Sequence, residues 1–133
     1  MKTEDKILIV ATRARKTIEK LNARLNYLFP TTLEGLCGVA SGHLFTLLRK
    51  AKLKPVIRSN DYHYFVECGG FIVDITATQF YRKKILVIPD NKKRYAYHTN
   101  KSLKHKSLRD FINWQKKQGW RREAQYIFYK RLF

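Results

Sequence analysis

The sequence predicts an α+β domain, with helices packed on one face of a largely antiparallel sheet. Three observations carry that prediction. Up to Lys50, apolar residues recur at three- and four-residue intervals, the spacing of a helix face. From Val56 to Ile88 the period shortens to strand-like alternation, interrupted by the pair Gly69-Gly70. Beyond Leu108 the helical spacing returns. The 133 residues suit one domain, 1–133, with its own core. A hydrophobic content of 44% with 14% aromatics argues against a disordered basic tail.

The first helix places Ile7, Val10, Ala14, Ile18, Leu21, Leu25 and Leu28 on one stripe, with Lys6, Arg13, Lys16, Lys20 and Arg24 around it. Thr3 is its expected cap, Glu4 and Asp5 favour the positive end of the dipole, and Pro30 is expected to end it. The second helix runs from about Leu36 to Lys50, burying Leu36, Ala40, Leu44, Leu47 and Leu48. Gly35, Gly38 and Gly42 are poor helix formers, so they point to close approach of another backbone or a ligand.

After Pro55, strands are expected at Val56-Ile57, at 62–68 and at 71–75, the last two joined by a Gly-Gly hairpin. Another is expected at 84–88, stopped by Pro89-Asp90-Asn91, with a short one at 94–97. Two basic helices close the chain. Leu108, Phe111 and Ile112 mark the first, and Trp120, Ala124, Ile127 and Phe128 the second, with Gly119 between them.

Charge is unevenly placed. Lysine and arginine total 28 against 10 acids, a net charge of +18. Residues 92–133 hold 13 basic and 2 acidic residues, so this strongly basic C-terminal portion of the domain carries +11. Such a field attracts polyanions or an acidic protein. Tyr81, Tyr95, Tyr97, Trp114 and Trp120 interleave with the basic runs, a pattern that suits base stacking beside phosphate contacts. Aromatics also anchor small cores, and no recognition motif such as a zinc finger is present.

The chemistry-bearing set is Cys37, His63 and Asp74. Cys37 opens a glycine-rich helix, where amide donors and the dipole favour a thiolate. A two-residue turn at Gly69-Gly70 pairs Phe65 with Asp74 and sets His63 opposite Thr76. His63 and Asp74 then become diagonal neighbours on one face. That arrangement suits a nucleophile, a proton-transferring imidazole and a carboxylate that orients it. The Cys37 amide is one expected oxyanion donor. Asn26, Asn60 and Gln79 are alternatives for a second. The same residue types also serve as core filling, a satisfied strand histidine and a loop anchor.

The blocks GLCGVAS and YHYFVECGGFIVDIT resemble the helix-cysteine, strand-histidine and strand-aspartate motifs of the papain-like/transglutaminase-like cysteine enzyme superfamily. The resemblance spans residues 32–81, and Cys37, His63 and Asp74 match the family order one by one. It implies a small papain-like or transglutaminase-like α+β core. It also implies thiol-dependent acyl transfer on amide bonds, as in a cysteine peptidase, a protein-glutamine deamidase or a transglutaminase. The implied catalytic residues are Cys37, His63 and Asp74. The implied partner is a protein or peptide amide substrate. The short chain shows no second lobe for a long cleft, which disfavours a general digestive protease.

Two other readings compete: a basic nucleic-acid- or protein-binding module without catalysis, and a small-molecule amidase or acyltransferase. An acidic partner or inhibitor protein and non-specific polyanion binding both fit the charge. Small size and basicity also suit a toxin or effector module. Cys68 is out of phase with His63 and is expected to be a buried free thiol rather than a disulfide partner of Cys37. His43, about 120° from Cys37 around the helix, is expected to be structural or exposed, and His98 and His105 to be solvated. These histidines and cysteines form no familiar zinc pattern, so no metal or cofactor is expected. No apolar run has the length of a membrane span, and the N-terminus lacks signal-peptide order, so a cytoplasmic location is expected.

Overall fold

The structure is a computed structural model that describes residues 1–60, 63–92, 97, 103–117 and 123–133. Helix α1 spans Thr3–Arg24 and α2 spans Cys37–Lys50. Strands β1 (Val56–Ser59), β2 (Tyr64–Cys68), β3 (Phe71–Asp74), β4 (Leu86–Pro89) and β5 (Leu103–His105) build one antiparallel sheet in the order β4-β3-β2-β1-β5. Helices α3 (Leu108–Lys117) and α4 (Glu123–Leu132) follow. The result is a small α+β domain whose five-stranded sheet is flanked by N- and C-terminal helices. Among the described residues, no helix is long and apolar enough to cross a membrane.

Helix α1 stops well before Pro30. Asn26 and Tyr27 both adopt φ of 54°, a left-handed backbone that cannot continue a helix. The buried Asn22 side chain then holds the returning chain, donating to the Phe29 carbonyl at 2.9 Å and accepting from its N–H at 3.1 Å. Phe29 is thereby placed edge-on to Phe128 of α4, with ring centroids 5.6 Å apart. At the other end, Thr3 is already helical and Lys2 is the cap residue, with no side-chain cap bond.

The hairpin register follows from Gly69 and Gly70, which take φ of 58° and 82°. Both central residues of the turn therefore have positive φ, which sets Cys68 against Phe71, Glu67 against Ile72 and Val66 against Val73. Alternation divides the sheet into two faces. Ile57, Val66, Cys68 and Val73 join the main core with Ile7, Ile18, Leu44 and Leu48 from α1 and α2. Each fully buried aliphatic side chain of this kind contributes about 1.5–3 kcal/mol. Phe65, Ile72, Ala77, Leu86 and Tyr97 form a second, smaller cluster.

Helix α2 can sit close to α3 because two of its residues lack side chains. A Cβ on Gly42 would meet Leu108 Cδ1 at 3.2 Å, and one on Gly38 would meet Tyr64 Cδ2 at 3.4 Å. The close approach expected from these glycines is thus made by side chains of α3 and β2.

Two sequence expectations need correction here. Strand β5 is not among the elements anticipated from the pattern. His105, expected at a solvated surface, is 6% exposed, because β5 pairs with β1 and turns its ring inward. The strand expected at 94–97 lies outside the described residues except for Tyr97, as do Trp120, Tyr95 and His98.

Candidate active site

His63 immediately precedes β2 and Asp74 ends β3, so the antiparallel pairing brings both to the end of the hairpin opposite the glycine turn. Cys37 is the first residue of α2. The start of that helix lies over the start of β2, where Gly38 leaves room for the Tyr64 ring. One residue comes from the start of α2, one from the segment entering β2 and one from the end of β3.

The His63–Asp74 contact is short and dry. His63 Nε2 lies 2.7 Å from Asp74 Oδ2, and both residues are 3% exposed. Asp74 is satisfied on every side. Its Oδ2 also accepts from the Tyr97 hydroxyl at 2.6 Å. Its Oδ1 accepts from the Thr76 N–H at 2.8 Å and the Thr76 hydroxyl at 3.0 Å. Burial alone would raise the carboxyl's pKa, but His63, Tyr97 and Thr76 outweigh it, and the value falls below 3.8. Asp74 is a fixed carboxylate.

His63 shows the complementary balance. Burial disfavours its charged form, yet the Asp74 carboxylate and then Cys37 outweigh that cost and raise its pKa to about 10. With Nε2 given to Asp74, Nδ1 is the ring nitrogen left for another partner, and among the described residues it is buried without one. The ring is held by aromatics, stacked near Phe65 at 6.4 Å and edge-on to Phe80 at 4.9 Å and Tyr97 at 5.8 Å. The backbone is pinned too, because the His63 N–H donates to Asn60 Oδ1 at 2.8 Å.

Behind Asp74, the buried Arg15 of α1 staples the following turn. Its Nη1 donates to the Ile75 carbonyl at 2.9 Å and to Thr78 Oγ1 at 3.0 Å, while Glu19 balances its charge at 3.3 Å. The next segment, a 3₁₀ turn at Ala77–Gln79, therefore has a fixed origin.

The two cysteines differ as their strand and helix positions imply. Both are free. Cys68 is 2% exposed in the main core, and burial pushes its thiol up. Cys37 is half-buried.

The three expected second oxyanion donors are otherwise occupied or remote. Asn60 shapes the turn before β2, Gln79 Nε2 donates to the Thr76 carbonyl at 3.2 Å, and Asn26 is exposed in the loop after α1. Tyr97, read from the sequence as a possible base-stacking residue, is fully buried and donates to Asp74. No local pattern announces that role, because Tyr97 lies 23 residues beyond its acceptor. Gln115 was missed as well. Its signal is legible: it sits one helical turn after Phe111, a polar residue in a buried stripe.

His43 is half-buried and edge-on to Phe133, and burial with Lys50 lowers its pKa. Among the described residues, no three His, Cys, Asp or Glu side chains are grouped to hold a metal ion. Lys20 and Arg24 of α1 and Arg131 of α4 line an open cationic cleft away from this site.

Comparison with known proteins identifies no relative: no protein-family model, no curated protein and no solved structure matches the chain.

Proposed function

We propose that this chain is a thiol-dependent acyl-transfer enzyme acting on amide bonds, with Cys37 as nucleophile, His63 as proton carrier and Asp74 as the orienting charge. One observation carries the reading: the His63 ring is held by a buried carboxylate on Nε2, while its other nitrogen is buried with no partner among the described residues. In this reading that nitrogen serves the Cys37 thiol. The order of cysteine at a helix start, histidine at the entry to a strand and aspartate on the next strand supports a papain-like or transglutaminase-like core. The antiparallel sheet flanked by helices is compatible with it.

In this mechanism the Cys37 thiolate attacks the amide carbon, and the carbonyl electrons move onto oxygen. As they return, the C–N bond breaks and the His63 imidazolium gives its proton to the leaving nitrogen. The products are a Cys37 thioester and an amine, or ammonia from a glutamine side chain. An incoming water or amine then loses its proton to His63 and displaces the thiol. Water yields a carboxylic acid, as in peptidase or deamidase action, and an amine yields a new amide. Asp74, which cannot readily take the proton, stabilises the imidazolium throughout.

The test is to incubate the protein with peptide and glutamine amides labelled in the acyl group, quench in acid to keep the thioester, and then release its label as a hydroxamate with hydroxylamine. A labelled adduct on Cys37, absent from Cys37→Ala, is the expected outcome. Full turnover by Cys37→Ala overturns the triad.

The surface charge favours a second, compatible reading: an acidic protein or another polyanion as partner. With a net charge of +18 and the cleft of Lys20, Arg24 and Arg131, heparin binding is expected at low salt and should fall as salt rises. Binding that ignores salt overturns the electrostatic account.

A further inference from the structure

The oxyanion donor expected from the sequence is the Cys37 amide, and a tetrahedral intermediate needs more than one to be well held. Next to Cys37, at Gly38, lies a buried polar side chain that the mechanism has not used. Gln115 of α3 is 4% exposed, and its amide fills the notch left by the missing side chain of Gly38, the residue next to Cys37. A Cβ at position 38 would collide with Gln115 Nε2. The nitrogen end of the amide, rather than its oxygen, therefore faces the start of α2.

The reason for that orientation is visible behind it. The buried Tyr129 hydroxyl of α4 donates to Gln115 Oε1. Burial raises the Tyr129 pKa, so the hydroxyl remains a donor at neutral pH. With Oε1 engaged, the amide nitrogen is the end that faces Gly38, the residue next to Cys37. Tyr64 borders the same notch, its Cδ2 3.4 Å from a Cβ placed on Gly38. A primary amide has two N–H donors to offer there.

We propose that Gln115, aimed by Tyr129 and admitted by Gly38, is the second oxyanion donor for acyl transfer at Cys37. This rests on the thiol chemistry proposed above and assigns to it a residue from the C-terminal helices. Those helices are thus part of the active site, and the strict size limit at position 38 becomes a catalytic requirement.

Two probes of Cys37 separate donor from scaffold. Iodoacetamide alkylates sulfur at a saturated carbon and builds no oxyanion. p-Nitrophenyl acetate acylates sulfur through a tetrahedral oxyanion and releases a coloured phenolate. Gln115→Leu is expected to lower the acylation rate about 10²-fold while leaving the alkylation rate at Cys37 unchanged. Tyr129→Phe, which removes only the orienting hydroxyl, should show the same selective loss to a smaller degree. It serves as the readout where melting curves show Gln115→Leu to be unfolded. Equal loss in both reactions, or full acylation by folded variants, overturns the assignment while leaving the thiol reading intact. A wild-type Cys37 that is not acylated at all overturns that reading and the assignment with it.

Discussion

His63 and His105 are almost equally buried, at 3% and 6% exposure, and both lie beside aromatic rings on the same sheet. Their chemistry diverges because of a single partner. His63 Nε2 meets a carboxylate, while His105 Nε2 lies 3.0 Å from the Ser59 hydroxyl. Desolvation acts against the charged form in both. At His63 the Asp74 carboxylate outweighs it, and at His105 it prevails over the weaker pull of Asp110, so the pKa drops below 6.5. Burial alone makes a histidine neutral. A buried carboxylate makes it a stored proton, and only the latter is of use to an acyl-transfer site.

The largest effect expected from this contrast is on turnover. Asp74→Asn should lower amide turnover by about 10²–10⁴-fold, since asparagine removes the charge and permits the wrong imidazole tautomer. Ser59→Ala, which removes the neutral partner of the other histidine, should leave turnover unchanged and cost about 1 kcal/mol of stability. Steady-state kinetics on folded variants, with melting curves, measure both. Full activity in Asp74→Asn would erase the distinction between the two histidines.

The cysteines should differ next. Cys37 is expected to alkylate faster than Cys68 by at least about tenfold near neutral pH, because Cys68 is shielded in the core and its thiol is pushed up by burial. Residue-resolved mass spectrometry of the alkylated protein gives the two rates. Equal rates in folded protein contradict the placement of Cys37 at an accessible site.

The smallest effect is on stability against pH, and its sign follows from the shifts. His63 rises from 6.5 to about 10 on folding, so its contribution is fully present below 6.5 and is lost as pH rises through 10. Asp74 falls below 3.8, so its contribution is present above 3.8 and is lost as pH drops through its folded value. The pair therefore stabilises most between pH 3.8 and 6.5. Histidine NMR should show His63 protonated through neutral pH and His105 neutral at pH 7. A His63 that titrates near 6.5 removes the buried charge pair.

Much of this was readable from local chemistry. The Gly69-Gly70 pair fixes the turn length, and turn length fixes register, so the meeting of His63 with Asp74 follows from a count along the chain. The start of α2 was equally legible, from the apolar stripe beginning at Leu36. What escaped depends on contacts between distant segments. Tyr97 lies in a stretch whose charges mask a buried phenol, and His105 is buried only because β5 adds to β1 at the sheet edge. The early end of α1 is set by two left-handed residues that are not glycines and by an asparagine reaching seven residues ahead.

Arg15 carries a consequence for the order in which the molecule assembles. Its guanidinium, on the first helix, holds carbonyl and hydroxyl oxygens sixty and more residues downstream, directly behind Asp74. Contacts of such long sequence separation close late, because a large loop must lose its freedom before they form. Refolding should therefore regain helical signal before it regains a competent thiol. Under the proposed function, reactivity then arrives only once the fold is nearly complete.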